Sequence, residues 1–342
     1  MSMGRPPSVV LPRHIIDLIR RTSRSFHLTL RALPRAVRNE VSLLYLLART
    51  ADTLADSLHG EGDVLIEALQ LYRARSMEGP SSPLDFSDLI RLQDDPSEAE
   101  LLTRVEEIIM LLESTPADAK DRMRRCLSTI ISGQILDLER FRNPRRTGLV
   151  ALGSMEEADD YTYRVAGSVG EFWTEVSLAH LFRLEEAGEQ DLLREGVRFG
   201  KGLQWVNILR DIPADLALGR CYLPRDQLRD HGLEPADLLD PTTMTRFRPL
   251  YEQYLDVAQS HLNAASRYLH MVPVGQRRMR FAIALPIVLG RRTIDLLRSG
   301  NVLDADHRIK VSRPEVKRIL RTSLFATRSK RAMAAWVPMD GT

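Results

Sequence analysis

Residues 199–224 read Phe199-Gly200-Lys201-Gly202-Leu203-Gln204-Trp205-Val206-Asn207-Ile208-Leu209-Arg210-Asp211-Ile212-Pro213-Ala214-Asp215-Leu216-Ala217-Leu218-Gly219-Arg220-Cys221-Tyr222-Leu223-Pro224. At helical period, Gln204, Asn207, Asp211 and Asp215 fall within an arc of about 80° at ~100° per residue. The remaining positions, including Leu203, Trp205, Val206, Ile208, Leu209 and Ile212, are apolar. A helix in such surroundings is expected to be buried, and a buried carboxylate needs a cation or a donor. A hard divalent metal is one answer, since Mg2+ takes oxygen ligands and often shares them with substrate phosphates. The other answer is an amphipathic helix with its solvent face at 207, 211 and 215, paired to Arg210 or Arg220; carboxylates four apart are common on exposed helices.

A second stretch bears on that choice. Residues 41–58 contain no Gly or Pro and read as one helix, with Tyr45, Arg49, Asp52 and Asp56 on a stripe about 60° wide. The flanking positions are Leu, Ala and Val, so this stripe is not expected to face open water throughout. Two DxxxD pairs on two apolar helices point to carboxylates facing each other across a cavity. Such carboxylates would hold a small metal cluster, and the metals a diphosphate.

Several motifs, taken in order, resemble the squalene and phytoene synthases. Thr22-Ser23-Arg24-Ser25-Phe26 resembles that family's N-terminal substrate-binding signature, and Leu44-Tyr45 through Asp56 its first aspartate-rich motif. Tyr161 through Gly170 resembles its tyrosine-and-glycine helix, and Gln204 to Asp215 followed by Gly219-Arg220-Cys221-Tyr222-Leu223-Pro224 its second aspartate-rich motif. The resemblance implies an all-α, single-domain isoprenoid-synthase helical bundle around a central cavity, spanning residues 1–342. It also implies Mg2+ held by Asp52, Asp56, Asn207, Asp211 and Asp215. Prenyl diphosphates would be bound by Ser23, Arg24, Ser25, Phe26, Tyr45, Arg49, Gln204, Asn207, Arg210 and Arg220. Tyr161 would relay a proton or stabilise cationic charge in a cyclopropane-forming step, with Asp52, Asp56, Asp211, Asp215 and Arg49 as its catalytic companions.

Read without that resemblance, Ser23 to Phe26 beside Arg20 and Arg21 is a solvated basic face. Arg49 is equally an ion-pair partner for Asp52. Gly167 and Gly170 recur at a three-residue step near Tyr161, and mid-helix Gly costs about 1 kcal/mol against Ala. Close approach of a backbone or a flat prenyl chain would explain them, and so would a seam of small residues between helices. Residues 133–141 depart from relatives, which often carry Gly-Met and an Asp there; this chain has Gly133-Gln134 and Leu136. Ala214 stands where the second motif usually has an acid, and Pro213 tends to end or kink the helix. Asp215 is therefore expected to leave the helical register. Lys201 is off the Asn207 face and has no evident role.

The chain has 342 residues, with 48 Lys and Arg against 46 Asp and Glu, a balance that makes no case for nucleic acid. Two cysteines, Cys126 and Cys221, argue against a disulfide framework and fit a reducing cytoplasm. Phe281 to Gly290 is about half the ~20 apolar residues a bilayer span requires. The expectation is a cytoplasmic protein with peripheral membrane contact, because substrate and product would be lipids; oligomeric state is not legible. Periodicity is helical nearly everywhere, with no convincing strand. The expected helices are 14–30, 36–57, 63–77, 99–114, 116–142, 155–184, 188–212, 247–270, 275–298 and 312–323. A flexible N-terminus at about 1–12, a loop at about 79–98 and a polar tail at about 328–342 complete the reading.

The reaction the resemblance implies joins two farnesyl diphosphates through presqualene diphosphate to squalene, with NADPH reducing in the second step. Arg38-Asn39 and the Arg49–Asp56 stretch resemble squalene synthases; Gly219 to Pro224 resembles the bacterial phytoene synthases. A phytoene or dehydrosqualene synthase without NADPH, or a non-catalytic isoprenoid-binding relative, are the alternatives. No Gly-rich dinucleotide fingerprint is present.

Overall fold

The computed structural model describes residues 9–23, 30–57, 62–78, 82–141 and 148–339. Among these the chain is helical almost throughout and divides into two compact units, Met1–Arg140 with Phe172–Arg183, and Phe141–Glu171 with Leu184–Thr342.

In the first unit, helix α1 spans Arg13–Thr22, and α2 spans Arg35–Ala55 directly after its N-cap, Pro34. The fixed φ of proline suits a helix start, and the next interior breaker is absent for the whole length of α2. Leu43, Leu46, Leu47, Ala51 and Leu54 of α2 are fully buried. They pack toward α3 (Gly62–Glu78), α6 (Val105–Glu113) and α7 (Ala117–Arg140). Tyr72 of α3 donates its hydroxyl to the Leu47 carbonyl at 3.0 Å, so the buried phenol is satisfied where it enters the core. The expected loop at 79–98 contains a five-residue helix α4 (Ser87–Arg91), and α5 (Pro96–Thr103) starts inside it. Asp95 caps α5 by accepting from Ser97 N at 2.8 Å. The single helix expected at 99–114 is two, separated at Arg104.

In the second unit, α8 (Met155–Thr162) runs through a π-helical stretch, Tyr163–Gly167, into α9 (Ser168–His180), which finishes in the first unit. The long helix α10 (Glu186–Arg210) stops three residues before Pro213, and α11 (Ile212–Ala217) follows with that proline in its first turn. Helices α13 (Met244–Met271) and α14 (Arg277–Ser299) complete the core, after the short α12 (Arg225–Asp230). Two of the glycines, Gly170 of α9 and Gly200 of α10, are explained by backbone proximity. A Cβ on Gly170 would run into the Gly196 carbonyl, and one on Gly200 into the Ala166 carbonyl. They are a helix-packing seam, the reading that needed no prenyl chain.

Two strands absent from the sequence expectation pair in parallel, β1 (Val150–Leu152) and β2 (Arg220–Pro224), with Val150 opposite Arg220. Gly219, at φ 79°, makes the turn from α11 into β2. The expected polar tail carries a helix: α15 (Arg313–Ala326) precedes the tail and α16 (Lys330–Trp336) lies within it, with Met333 and Val337 fully buried. No helix of the described residues is long and apolar enough to cross a membrane.

Candidate functional site

The stripe Tyr45, Arg49, Asp52, Asp56 lies on α2 as its spacing requires, with Asp56 as the C-cap residue. Tyr45 donates its hydroxyl to the Thr22 carbonyl at 3.1 Å, which ties the stripe to the end of α1 beside Ser23. Ser23 is buried, and its Oγ has no hydrogen-bond partner among the described residues. Arg24, Ser25 and Phe26 lie outside the described residues.

Asp52 is half-buried, while Asp56 is exposed. Burial first, and the neighbouring Asp56 charge second, push the Asp52 carboxyl up to about 6. Arg49 and a hydrogen bond from Gln134 act in the opposite sense. That bond, Gln134 Nε2 to Asp52 Oδ1, is 2.5 Å long and joins α7 to α2. Gln134 is itself buried, and its own Oε1 has no hydrogen-bond partner among the described residues.

Arg49 does not pair with Asp52. Its Nη2 donates to Glu98 of α5, and its buried Nε has no hydrogen-bond partner among the described residues. An orphaned donor and an orphaned acceptor therefore stand beside a crowded carboxylate pair. Buried polar atoms are rarely left unmade without a reason, and a ligand supplying both kinds of partner is one. Neither Glu98 nor Gln134 was singled out from the sequence as a site residue.

Asp52 and Asp56 offer the oxygen donors that a divalent cation takes, and a cation would relieve the repulsion that raises Asp52. Within either unit, no three or more His, Cys, Asp or Glu side chains of the described residues gather as a metal site. The pair fits a cation that draws its remaining oxygens from water and phosphate, as Mg2+ commonly does.

The second acidic set lies in the other unit. Gln204 and Asn207 sit on α10, half-buried and exposed respectively, and contact each other weakly at 3.5 Å. Asp211 is the residue between α10 and α11, and Asp215 belongs to α11. Pro213 thus ends the register that joined all four on one helix, as its missing N–H predicts. Burial alone would raise the Asp211 carboxyl, but Arg210 and Arg308 outweigh it and hold the group below its ordinary value. Arg210 donates through Nη2 at 2.5 Å and Nε at 3.0 Å, and Arg308 through Nη2 at 2.7 Å. The Arg210 pairing is the one the amphipathic alternative named; Arg308 was not anticipated. Arg220 lies on β2, half-buried.

Tyr161 is buried on α8, and its ring stacks on Tyr222 of β2, with centroids 4.8 Å apart and planes at 21°. Phe141 meets the same Tyr222 edge-on at 5.2 Å. Offset stacks of this kind fix ring orientation. Elsewhere in this unit a cavity of about 500 Å3 is lined by Asp159, Tyr163, Lys201, Trp205 and His261, and by none of the residues expected to act. Lys201 pairs with Asp159 at 2.7 Å and lies 5.8 Å from the Tyr163 ring centre, which gives it a structural role.

Residues 19–315 match the family described as squalene/phytoene synthase. The chain is 27% identical over 308 residues to a bifunctional lycopene cyclase/phytoene synthase of Colletotrichum graminicola, covering 87% of this chain and 48% of that protein. It is 27% identical over 290 residues to a squalene synthase of Yarrowia lipolytica, covering 83% and 61%. The chain spans about half the length of the bifunctional relatives it matches. Among solved structures, TcSQS in complex with the ligand E5700 superposes with a TM-score of 0.75 at 20% identity, covering 95% of this chain and 89% of that one. That likeness shows the all-α isoprenoid-synthase fold.

Proposed function

Because the chain belongs to the squalene/phytoene synthase family, whose members are prenyltransferases, we propose that it joins two prenyl diphosphates head to head. On this reading the substrates are two farnesyl diphosphates, the first product is presqualene diphosphate and the second is squalene. NADPH enters as a second substrate, the hydride donor. The observation that carries the reading is the Asp52–Asp56 pair flanked by the unpartnered Arg49 Nε and Gln134 Oε1.

Asp52 and Asp56 would hold Mg2+, which when bound neutralises a leaving diphosphate by Lewis-acid and electrostatic action. Arg49 contributes a planar fork suited to phosphate oxygens, with Glu98 fixing one arm and the Nε free to donate. The buried Ser23 Oγ supplies a further hydrogen-bonding group at the end of α1. In the second unit the assignment gives Mg2+ ligation to Asn207, Asp211 and Asp215, and diphosphate contacts to Gln204, Asn207, Arg210 and Arg220. Tyr161, oriented by its stack on Tyr222, would stabilise positive charge on an allylic carbon with its ring face or pass a proton through its hydroxyl. Apolar surroundings protect such a cation from water.

A second reading, a phytoene or dehydrosqualene synthase without NADPH, is favoured by the phytoene synthase names among the relatives and by Gly219 to Pro224. Incubation with farnesyl or geranylgeranyl diphosphate and Mg2+, with and without NADPH, followed by mass spectrometry of the hydrocarbon, separates the two. Squalene formed only with NADPH supports the first reading. Dehydrosqualene regardless of NADPH, or preferred formation of phytoene, replaces it with the second. No Mg2+-dependent diphosphate release from either substrate would leave a non-catalytic isoprenoid binder.

A further inference from the structure

Charge in this chain is nearly balanced overall, yet residues 313–331 carry seven cations, Arg313, Lys317, Arg318, Arg321, Arg328, Lys330 and Arg331, against one acid, Glu315. All seven are exposed. Arg318 is shared with Glu315 at 3.4 Å; the other six have no ion pair among the described residues. Such a density of unneutralised charge is maintained against its own repulsion.

The segment is well anchored from beneath. Ser312 caps α15, and Ile319, Ser323 and Ala326 turn their buried face to the protein, where α15 packs against α14 and α16. Trp336 of α16 donates its Nε1–H to Ser323 Oγ at 3.1 Å. The outward face combines the charge with apolar bulk. Lys317, Arg318, Arg321, Leu324 and Phe325 fall within an arc of about 120° by helical spacing. Leu324 and Phe325 are 56% and 62% exposed, and the Arg328 guanidinium lies 4.8 Å from the Phe325 ring centre. Two large apolar side chains held outward on a folded helix, ringed by long cationic side chains, are an arrangement that solvent alone does not reward.

We propose that this face of α15, with the start of α16, docks the protein onto an anionic lipid surface, the cations meeting headgroups and Leu324 and Phe325 entering the acyl boundary. Charge complementarity selects that occupant. A second copy would set the same cations against themselves in a two-fold contact. Nucleic acid would satisfy the cations and leave both apolar side chains in water.

The test uses the full chain and sedimentation with vesicles of phosphatidylcholine alone or mixed with phosphatidylglycerol, at low and high salt. Binding is expected only to the anionic vesicles, weakening with salt. Lys317→Gln with Arg321→Gln should weaken it ~25-fold, taking about fivefold for each cation near the surface. Leu324→Ser with Phe325→Ser should remove the part of the binding that survives high salt. All four positions are exposed, and circular dichroism checks that the variants fold. Phe325→Trp gives an independent readout, a fluorescence blue shift on anionic vesicles. Equal sedimentation with both vesicle types, unchanged binding by the variants, no blue shift, or a dimer in light scattering that Leu324→Ser disrupts would each overturn the proposal. The outcome is independent of which hydrocarbon the protein makes.

Discussion

Gln134 donates its Nε2 to Asp52 Oδ1 at 2.5 Å, from a helix 82 residues further along the chain. The contact is the one polar clamp described on a carboxylate that burial and Asp56 both push toward its neutral form. It fixes which oxygen faces α7 and leaves the other for a cation or a water.

Replacing that amide without changing its bulk isolates the clamp. Gln134→Met is expected to weaken metal binding ~10-fold, within the range for residues that orient a ligand. Titration of Mn2+ by electron paramagnetic resonance measures this directly, apart from turnover. Unchanged affinity would show that Asp52 orients itself.

Asp52 also makes the folded chain less stable as it ionises. Its carboxyl titrates at about 6 folded against 3.8 ordinarily, so the folded state binds the proton more tightly. This contribution favours folding fully below pH 3.8 and is lost as pH rises through about 6. Asp52→Asn should therefore stabilise the fold at pH 7 in metal-free buffer by on the order of 3 kcal/mol, read as a higher Tm, and show little gain near pH 4. The same variant should lose activity ~100-fold or more, as when a major transition-state charge partner is removed. A lower Tm at pH 7 would mean that the ionised carboxylate is a net stabiliser.

The glycine seam carries a purely structural prediction. Gly200→Ala places a methyl against the Ala166 carbonyl, which as backbone cannot swing aside. The helix-propensity gain of about 1 kcal/mol is smaller than the cost of forcing the helices apart, so a net loss of ~1–3 kcal/mol is expected in urea unfolding. Gly188→Ala is the control, since only Leu184 side-chain atoms lie near it at ordinary contact distance. Equal stabilities would contradict the close helix approach.

How far the sequence revealed this site depends on how local each feature is. The stripe on α2 was legible because 21 residues without Gly or Pro impose one period, and burial follows that period. The break at Pro213 was legible as a warning about Asp215, since the missing donor acts within one turn. Glu98, Gln134 and Arg308 were not, because their partners lie 49, 82 and 97 residues away and no periodicity encodes such pairings. The two strands escaped notice because three and five residues are too few for alternation to register. Helix α16 escaped because only Met333 of its seven residues is buried.

Asp211 offers a contrast with Asp52, being already compensated by Arg210 and Arg308. Arg308→Gln should raise the Asp211 carboxyl toward its ordinary value while leaving it ionised at pH 7, because Arg210 remains. Side-chain carboxyl titration by NMR checks this. A large fall in activity with no shift would assign Arg308 to the substrate instead of to Asp211.

The central claim is head-to-head joining, and the carbon skeleton of the first intermediate tests it most directly. Farnesyl diphosphate and Mg2+ without NADPH should yield a thirty-carbon cyclopropyl diphosphate, presqualene diphosphate, identified by mass spectrometry and by its ring protons in NMR. Chelator should abolish it. A linear, head-to-tail diphosphate of any length, or no consumption of the substrate, would contradict the account.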